Sequence, residues 1–323
     1  MKSLAVVFAA LLSLRSFAFA GVTLERVIPL PGVDGRIDHC TLDTARHHLF
    51  VAALGHNSVE VVDLLENKVI HSITGLAEPQ GVLFLADANR LYVANGGDGT
   101  VRVFDGTTFA AATTVKFDDD ADNLRYDAAA KRIYVGHGRG ALGVIDVASD
   151  EIVADIRLKA HPESFQLEQS GARIFVNLPG AHHIAVVDRE KKSIVTTWSL
   201  GLAAANFPMA LDEANHRLIV ACRLPARLIA FDTESGKEVT KLSLHGDCDD
   251  LFFDPVRRRL YASCGEGFID VFVQTEANRY TLEEAVKTES GARTCFFDGK
   301  YLYLAVPKHG GRSAEVRRYR VEK

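Results

Sequence analysis

One phrase recurs along the chain: an apolar run, a turn containing Gly or Asn, a second apolar run and a closing Asp. Examples are HLFVAALGHNSVEVVD (48–63), RLYVANGGDGTVRVFD (90–105) and RIYVGHGRGALGVID (132–146). The first apolar residues of the recurring run are Leu49, Leu91, Ile133, Ile174, Leu218, Leu260 and Leu302, spaced by 42, 42, 41, 44, 42 and 42 residues. A nearly constant period of this length indicates seven copies of one supersecondary unit.

Each of the first six units contains four short segments with the composition of β-strands. In the second unit they are GVLFL (81–85), RLYVA (90–94), VRVFD (101–105) and ATTVKF (112–117), separated by residues typical of turns. Four antiparallel strands in each of seven units predict an all-β fold, a seven-bladed β-propeller with four-stranded blades. No linker or change of composition interrupts the repeat, so we expect residues 21–323 to form a single domain.

The last unit lacks a fourth strand. Its apolar segments are 293–297, 301–306 and 314–321, after which the sequence ends. The segment TLERVIPL (23–30) resembles the fourth strands of the other units and precedes the first unit. We therefore predict that residues 23–30 pair with residues 314–321 and close the ring by main-chain hydrogen bonds.

An Asp closes the third strand of five units, at Asp63, Asp105, Asp146, Asp188 and Asp232. Five equivalent copies on one side of the fold favour a structural role over a functional one. We expect each carboxylate to accept hydrogen bonds from the backbone of the turn that follows it.

The phrase RLYVANGGDGTVRVFD resembles the YVTN-type repeat of the YncE-like propeller family, and the resemblance extends over residues 21–323. The sequence lacks the Gly-His and Trp-Asp marks of WD40 blades, and its single Trp is Trp198. The resemblance implies a seven-bladed, exported bacterial protein. It implies no particular ligand, because propellers carry many functions on one scaffold.

Residues 1–20 have the pattern of a signal peptide. Lys2 precedes an apolar core (4–14), and AFA (18–20) is a small-x-small cleavage site, which predicts cleavage after Ala20 and a periplasmic or secreted protein. No later stretch approaches the ~20 apolar residues of a membrane-spanning helix, so we expect no membrane span. The formal net charge is −5 and no basic run is present, so we expect no nucleic-acid partner.

Polar residues recur in the loops that lead into the first strand of each unit. In a propeller these loops lie at the inner ends of the blades, so their side chains should surround the mouth of the central channel. The candidate ligand-binding residues are Asp38, His39, Gln80, Asp122, Asn123, Glu163, Asn206 (with Phe207 as the alternative in that unit), Asp249, Asp250 and Arg293. The expected occupant is a small molecule or a protein partner.

A metal ion is a second hypothesis for the same loops. Carboxylates and amides suit Ca²⁺, and the His residues clustered on this face suit a transition metal. The candidate ligands are His39, His137, Asp249 and Asp250. The alternative is a solvated channel mouth whose carboxylates cap the strand starts, and the sequence requires no cofactor.

The five cysteines of an exported chain invite disulfides. Cys222 and Cys264 occupy equivalent positions in neighbouring units, and Cys248 lies in the loop between them. We predict that Cys248 pairs with Cys222 or with Cys264. We expect Cys40 and Cys295 to be buried thiols of the inner strands.

Three functions are consistent with this pattern. The first is a non-enzymatic binding or scaffold protein that uses the polar loops at the channel. The second is a metal-dependent, lactonase-like hydrolase with carboxylate and amide ligands at the channel mouth. The third is a redox or metal-handling partner protein. The sequence has no nucleophile elbow, P-loop or dinucleotide fingerprint, which favours the first function.

Overall fold

A computed structural model describes residues 21–322, which form seven four-stranded antiparallel sheets. The chain starts with β1 (Val22–Leu30). Blade 1 contains β2 (Cys40–Asp43), β3 (His48–Ala53), β4 (Ser58–Asp63) and β5 (Lys68–Ile73). Blade 2 contains β6 (Pro79–Leu85), β7 (Arg90–Asn95), β8 (Thr100–Asp105) and β9 (Ala111–Lys116). Blade 3 contains β10 (Ala121–Asp127), β11 (Arg132–His137), β12 (Ala141–Asp146) and β13 (Glu151–Arg157).

The remaining blades repeat this order. Blade 4 contains β14 (Phe165–Leu167), β15 (Arg173–Leu178), β16 (His183–Asp188) and β17 (Ser193–Ser199). Blade 5 contains β18 (Ala204–Asp212), β19 (Arg217–Leu224), β20 (Ala226–Asp232) and β21 (Glu238–Ser243). Blade 6 contains β22 (Cys248–Asp254), β23 (Arg259–Cys264), β24 (Phe268–Glu276) and β25 (Arg279–Lys287). Blade 7 adds β26 (Cys295–Phe297), β27 (Tyr301–Val306) and β28 (Ala314–Val321).

The prediction of a seven-bladed, all-β propeller is confirmed. Helical structure in the described chain is limited to single 3-10 turns at Leu54–His56, Pro179–Ala181 and Glu213–Asn215. No helix within residues 21–322 has the length and apolar character needed to cross a membrane. The predicted signal peptide, residues 1–20, lies outside the described residues.

The ring closes as the missing fourth strand predicted. β1 pairs antiparallel with β28, from Val22 opposite Val321 to Leu30 opposite Ala314, and the sheet order is β1-β28-β27-β26. Main-chain hydrogen bonds therefore join the two ends of the described chain within one blade. A closed ring also leaves no open join between the first and last blades.

The apolar core lies between the blades. One buried cluster combines Tyr92 and Val103 of blade 2 with Leu124 and Val135 of blade 3, and the other clusters likewise span adjacent sheets. Each blade thus buries its two faces against two neighbours, which explains why the sequence repeats one short unit instead of forming several independent cores.

The Asp residues that close the third strands are structural, as predicted. Asp63 Oδ1 accepts hydrogen bonds from the backbone N–H of Leu65 (2.7 Å) and Glu66 (2.8 Å). The equivalent carboxylates of Asp105, Asp146, Asp188 and Asp232 also accept backbone N–H groups of the following turn. These turns lie on the face opposite the channel mouth, so the five carboxylates are remote from the candidate site.

Candidate functional site

A repeated backbone feature aims a side chain at the channel in five of the seven blades. In five blades, the residue two positions before this side chain has a left-handed conformation: Glu78 (φ +52°), Asp120 (+35°), Ala205 (+56°), Asp247 (+57°) and Gly291 (+84°). In β6, β10, β18 and β22 the strand register then shifts near its start. A bulge of this kind re-aims a side chain at the end of a strand.

Seven side chains, one from each blade, line a cavity of about 150 Å³ at the mouth of the channel. We call them the ring residues: Asp38, Gln80, Asp122, Glu163, Phe207, Asp249 and Arg293. His39 lines the same cavity and also, with Asn123 and Asp250, a second cavity of about 330 Å³ further along the channel. Nine of the ten predicted residues therefore lie along the axis of the propeller.

The exception is Asn206, which is fully buried away from the mouth. Its Nδ2 donates to Asn177 Oδ1 at 2.9 Å and to the carbonyl of His183 at 3.3 Å. The register shift between Asn206 and Met209 turns the next residue inward instead. Phe207 therefore occupies the ring position of blade 5.

Two arginines neutralise the carboxylates on the blade 6 and 7 side of the mouth. Arg293 Nε lies 3.0 Å from Asp249 Oδ2, and its Nη1 lies 3.0 Å from Asp247 Oδ2. Arg223 Nη2 lies 2.5 Å from Asp249 Oδ1, and its guanidinium stacks over the Phe207 ring at 3.9 Å. Burial raises the pKa of Asp249, while the two guanidinium groups act in the opposite direction. We call this set the matched half.

His39 lies between two carboxylates. Its Nδ1 is 3.4 Å from Asp250 Oδ1 and its Nε2 is 3.7 Å from Asp38 Oδ1. Burial acts to lower the pKa of His39, but the Asp250 and Asp38 carboxylates outweigh it and raise that pKa to about 10. Burial raises the pKa of Asp38 to about 6. At neutral pH, His39 is therefore a cation that lies between the Asp250 and Asp38 side chains.

The blade 3 and 4 side of the mouth has an excess of carboxyl groups. Asp120, Asp122 and Glu163 face one imidazole, that of His161, whose Nδ1 lies 2.6 Å from the carbonyl of Gly138. His161 Nε2 is 3.8 Å from Asp122 Oδ2, too far for a hydrogen bond. We call this set the unmatched half.

The Glu163 side chain makes no hydrogen bond with any described residue. Burial, followed by the nearby Asp122 carboxylate, raises the pKa of Glu163 to about 8. Burial lowers the pKa of His161, but Asp122 and the Gly138 carbonyl raise it overall to about 9. At neutral pH, Glu163 is therefore mostly protonated and His161 mostly charged.

The four predicted metal ligands are not assembled. His137 lies away from the mouth, with its Nε2 3.0 Å from Asp155 Oδ1, and Asp249 is held by two guanidinium groups. Within residues 21–322, no group of three or more His, Cys, Asp or Glu side chains is arranged to hold a metal ion.

The predicted disulfide is not formed, since all five cysteines are free, buried thiols. Cys248 and Cys264 are register partners on β22 and β23, but each thiol points back to a carbonyl of its own strand, at Asp250 (3.6 Å) and Ala262 (3.7 Å). Cys222 is not bonded to Cys248 either. Cys40 and Cys295 are buried, as expected for the inner strands.

Sequence reasoning missed four residues that line the mouth: Arg36, Asp120, His161 and Arg223. Three of them, Arg36, Asp120 and His161, lie two positions before a ring residue. The repeat contained this signal, because the same offset applied in every unit would have found all three. Arg223 gave no such signal, since its side chain reaches the mouth from the end of the second strand, β19.

The fold and this site define a seven-bladed β-propeller with a charged channel mouth. A chain in the crystal structure of the mitotic checkpoint complex superposes with a TM-score of 0.79 at 14% identity, over 100% of this chain and 99% of that chain. The WD40 repeats of RRP9 give 0.79 at 10% identity, over 93% and 100%. Hydrazine synthase of Kuenenia stuttgartiensis gives 0.74 at 18% identity, over 89% and 98%.

These similarities show the propeller fold alone, because the identities are low. No protein-family model matches the chain. No curated protein matches it either.

Proposed function

We propose that this chain is a binding protein that captures its ligand at the channel mouth. The observation that carries the proposal is the ring itself: each of the seven blades sends one side chain into the same cavity of about 150 Å³, and six of the seven are polar or charged. A cleft of convergent polar groups is the usual form of a ligand site.

The unmatched half supports a ligand over a purely structural role. A propeller does not need carboxyl groups at its axis, since burying them without partners costs stability. The blade 6 and 7 side offsets that cost with arginines, whereas Asp122 and Glu163 have no hydrogen-bond donor. A carboxyl group in a cleft whose pKa is raised by burial, such as that of Glu163, is typical of functional sites.

Membership of the YncE-like family and export to the periplasm or medium are part of the same proposal. They are supported by the YVTN-like phrase at residues 90–105 and by the signal-peptide pattern of residues 1–20. The metal-dependent hydrolase and the redox or metal-handling partner stay hypotheses, and neither gains a ligand set from the described residues.

The test is ligand-linked thermal stabilisation of the purified protein. The panel contains amines, amino acids, basic peptides, sugars, organic anions and divalent cations. A ligand of the mouth should raise the melting temperature of the native protein by mass action, and less in Asp122→Asn and Glu163→Gln. Asp34→Asn is the matched control, because Asp34 lies on the same face with a side chain 62% exposed.

Equal stabilisation of all four proteins would contradict the proposal, because the ligand would then bind elsewhere. No stabilisation by any class in the panel would contradict it as well.

A further inference from the structure

An exposed apolar patch lies beside the mouth on blade 5. Leu202 is 98% exposed and Leu224 is 65% exposed. Leu202 precedes by two residues Ala204, which is the register partner of Leu224. Both leucines are therefore at the same end of the same blade. Leu224 also directly follows Arg223, whose side chain lines the mouth.

Blade 5 projects further than its neighbours at this face. Its β18–β19 pairing continues past the Asn206–Cys222 pair to Ala204 and Leu224, whereas the equivalent pairing of blade 6 ends at Cys248 and Cys264. Two further residues per strand extend the hairpin by about 7 Å. The two leucines thus lie at the end of a hairpin that extends beyond the mouth, beside Arg223, which lines the cavity.

The neighbouring unmatched half has one cation, His161, for three carboxyl groups. The Asp122 side chain is only 8% exposed and lines the cavity, yet it accepts no hydrogen bond from any described residue. Its ion pair with His161 is long, at 3.8 Å. An ammonium or guanidinium group in the cavity would supply the donors that Asp122 and Glu163 lack.

The arginines of the matched half oppose such a cation only weakly. Arg223 and Arg293 are already neutralised by Asp247 and Asp249, and Arg36 lies 2.8 Å from Asp38. The cavity volume of about 150 Å³ accommodates the end of one long side chain and no larger body. The rest of the ligand must then lie outside the cavity, where the two leucines are the exposed apolar neighbours.

We propose that the ligand is a segment of a protein partner that inserts a lysine or arginine side chain beside Asp122 and Glu163 and packs an adjacent apolar residue on Leu202 and Leu224. This inference rests on the proposed function, since it assigns a ligand class to the same mouth. Asp122 and Glu163 favour a positively charged side chain in the partner. Leu202 and Leu224 favour an apolar residue next to it in the partner sequence.

The experiment compares three synthetic peptides and one amine by calorimetric titration. The peptides are Ac-Gly-Leu-Lys-Leu-Gly-NH2, the same peptide with Gln in place of Lys, and Ac-Gly-Gly-Lys-Gly-Gly-NH2; the amine is n-butylamine. The Leu-Lys-Leu peptide should bind about tenfold or more tightly than its Gln analogue, because a buried carboxyl pairs only with the cation. Its affinity should exceed that of the Gly-flanked peptide by about three- to tenfold, because its leucines bury apolar surface.

Two pairs of variants separate the two contacts. Asp122→Asn and Glu163→Gln should remove most of the preference for Lys over Gln. Leu202→Ser and Leu224→Ser should remove the preference for Leu flanks and keep the preference for Lys. Asp34→Asn on the same face and Val256→Ser, whose side chain is 87% exposed in the β22–β23 turn of the opposite face, are the controls and should change neither.

Each contrary result has a distinct meaning. In one contrary result, n-butylamine and the Gly-flanked peptide bind as tightly as the Leu-flanked peptide, and the leucine variants do not change the affinity. The mouth then binds a small amine. This result overturns the inference and leaves the proposed function standing. If none of the four probes binds while another class of the stabilisation panel binds through Asp122 and Glu163, the inference alone is likewise overturned. Peptide binding that is unaffected in both carboxyl variants would overturn both.

Discussion

Both halves of the channel mouth contain acidic side chains, but only the matched half pairs them with arginines. In the matched half, Asp247 and Asp249 lie within 2.5–3.3 Å of Arg223 and Arg293. In the unmatched half, Asp120, Asp122 and Glu163 share the single imidazole of His161. The equivalent ring residues Asp122 and Asp249 thus differ in their partners and not in their place in the repeat. The number of carboxyl groups at the axis is therefore a poor guide to function. Whether a carboxyl group is available to a ligand depends on the charged groups around it.

The largest effect should come from breaking the matched half. Arg293→Met removes one of the two guanidinium groups from the buried Asp249 carboxylate. We expect the free energy of unfolding at pH 7 to fall by about 2–4 kcal/mol, because an ion left without its partner in a buried site is costly. Urea unfolding measures it. Arg312→Met, an exposed arginine in the β27–β28 loop, is the matched control and should change stability little; equal losses in the two variants would contradict the role of Arg293.

A smaller effect should appear in the unmatched half, as a dependence on pH. The pKa of Glu163 is about 8 in the folded protein against an ordinary value of 4.5, because of burial and the Asp122 carboxylate. Between these values the folded protein keeps a proton that the unfolded chain releases, so the Glu163 contribution to stability declines as pH rises. Glu163→Gln should therefore be more stable than the native protein by about 1–3 kcal/mol at pH 8.5.

The difference between these two proteins should vanish near pH 4.5. His161, Asp122, Asp249 and Asp38 also act on Glu163, but they are present in both proteins, so their own titrations largely cancel in the comparison. Urea unfolding at pH 4.5, 7 and 8.5 measures the difference. Parallel pH profiles for the two proteins would show that Glu163 is ionised normally in the fold.

The smallest effect concerns the left-handed residues that aim the ring. Ala205 has a φ of +56°, a conformation that is strained for a residue with a Cβ. Asp120 is the equivalent residue of blade 3, and its side chain also contacts Gln80 and His161. Ala205→Gly should raise the free energy of unfolding by about 0.5 kcal/mol, the relief of strain less the added chain entropy. Asp120→Gly should give no gain, since it also removes these contacts. A loss of stability in Ala205→Gly would contradict this account of the turn.

Most of the architecture could be predicted from the sequence, because a propeller repeats its hydrogen-bonding unit. The spacing from Leu49 to Leu302 predicted the blades, and the absent fourth strand of the last unit predicted the β1–β28 pairing. The ring residues followed from the same alignment. The choice between Asn206 and Phe207 did not, because the register shift in β18 changes which side chain faces inward by one position.

The chemistry of the mouth depended on contacts between residues that are distant in sequence. The metal hypothesis counted Asp249 as a free carboxylate, but Arg223 and Arg293 reach it from different blades. His137 was grouped with the loops of the mouth, but it is the last residue of β11 and pairs with Asp155 across the sheet. The Cys248 pairing failed for a local reason, since thiol direction depends on side-chain rotamers that a repeat alignment does not specify.

The shared last blade also determines how this protein can be attached to something else. β1 is the outermost strand of blade 7 and runs towards the mouth face, so Val22 lies beside Val321 on the back of the ring. A fluorophore, an affinity handle or a solid support coupled next to Val22 or Val321 would hold the molecule from behind. The channel opening would then point into solution.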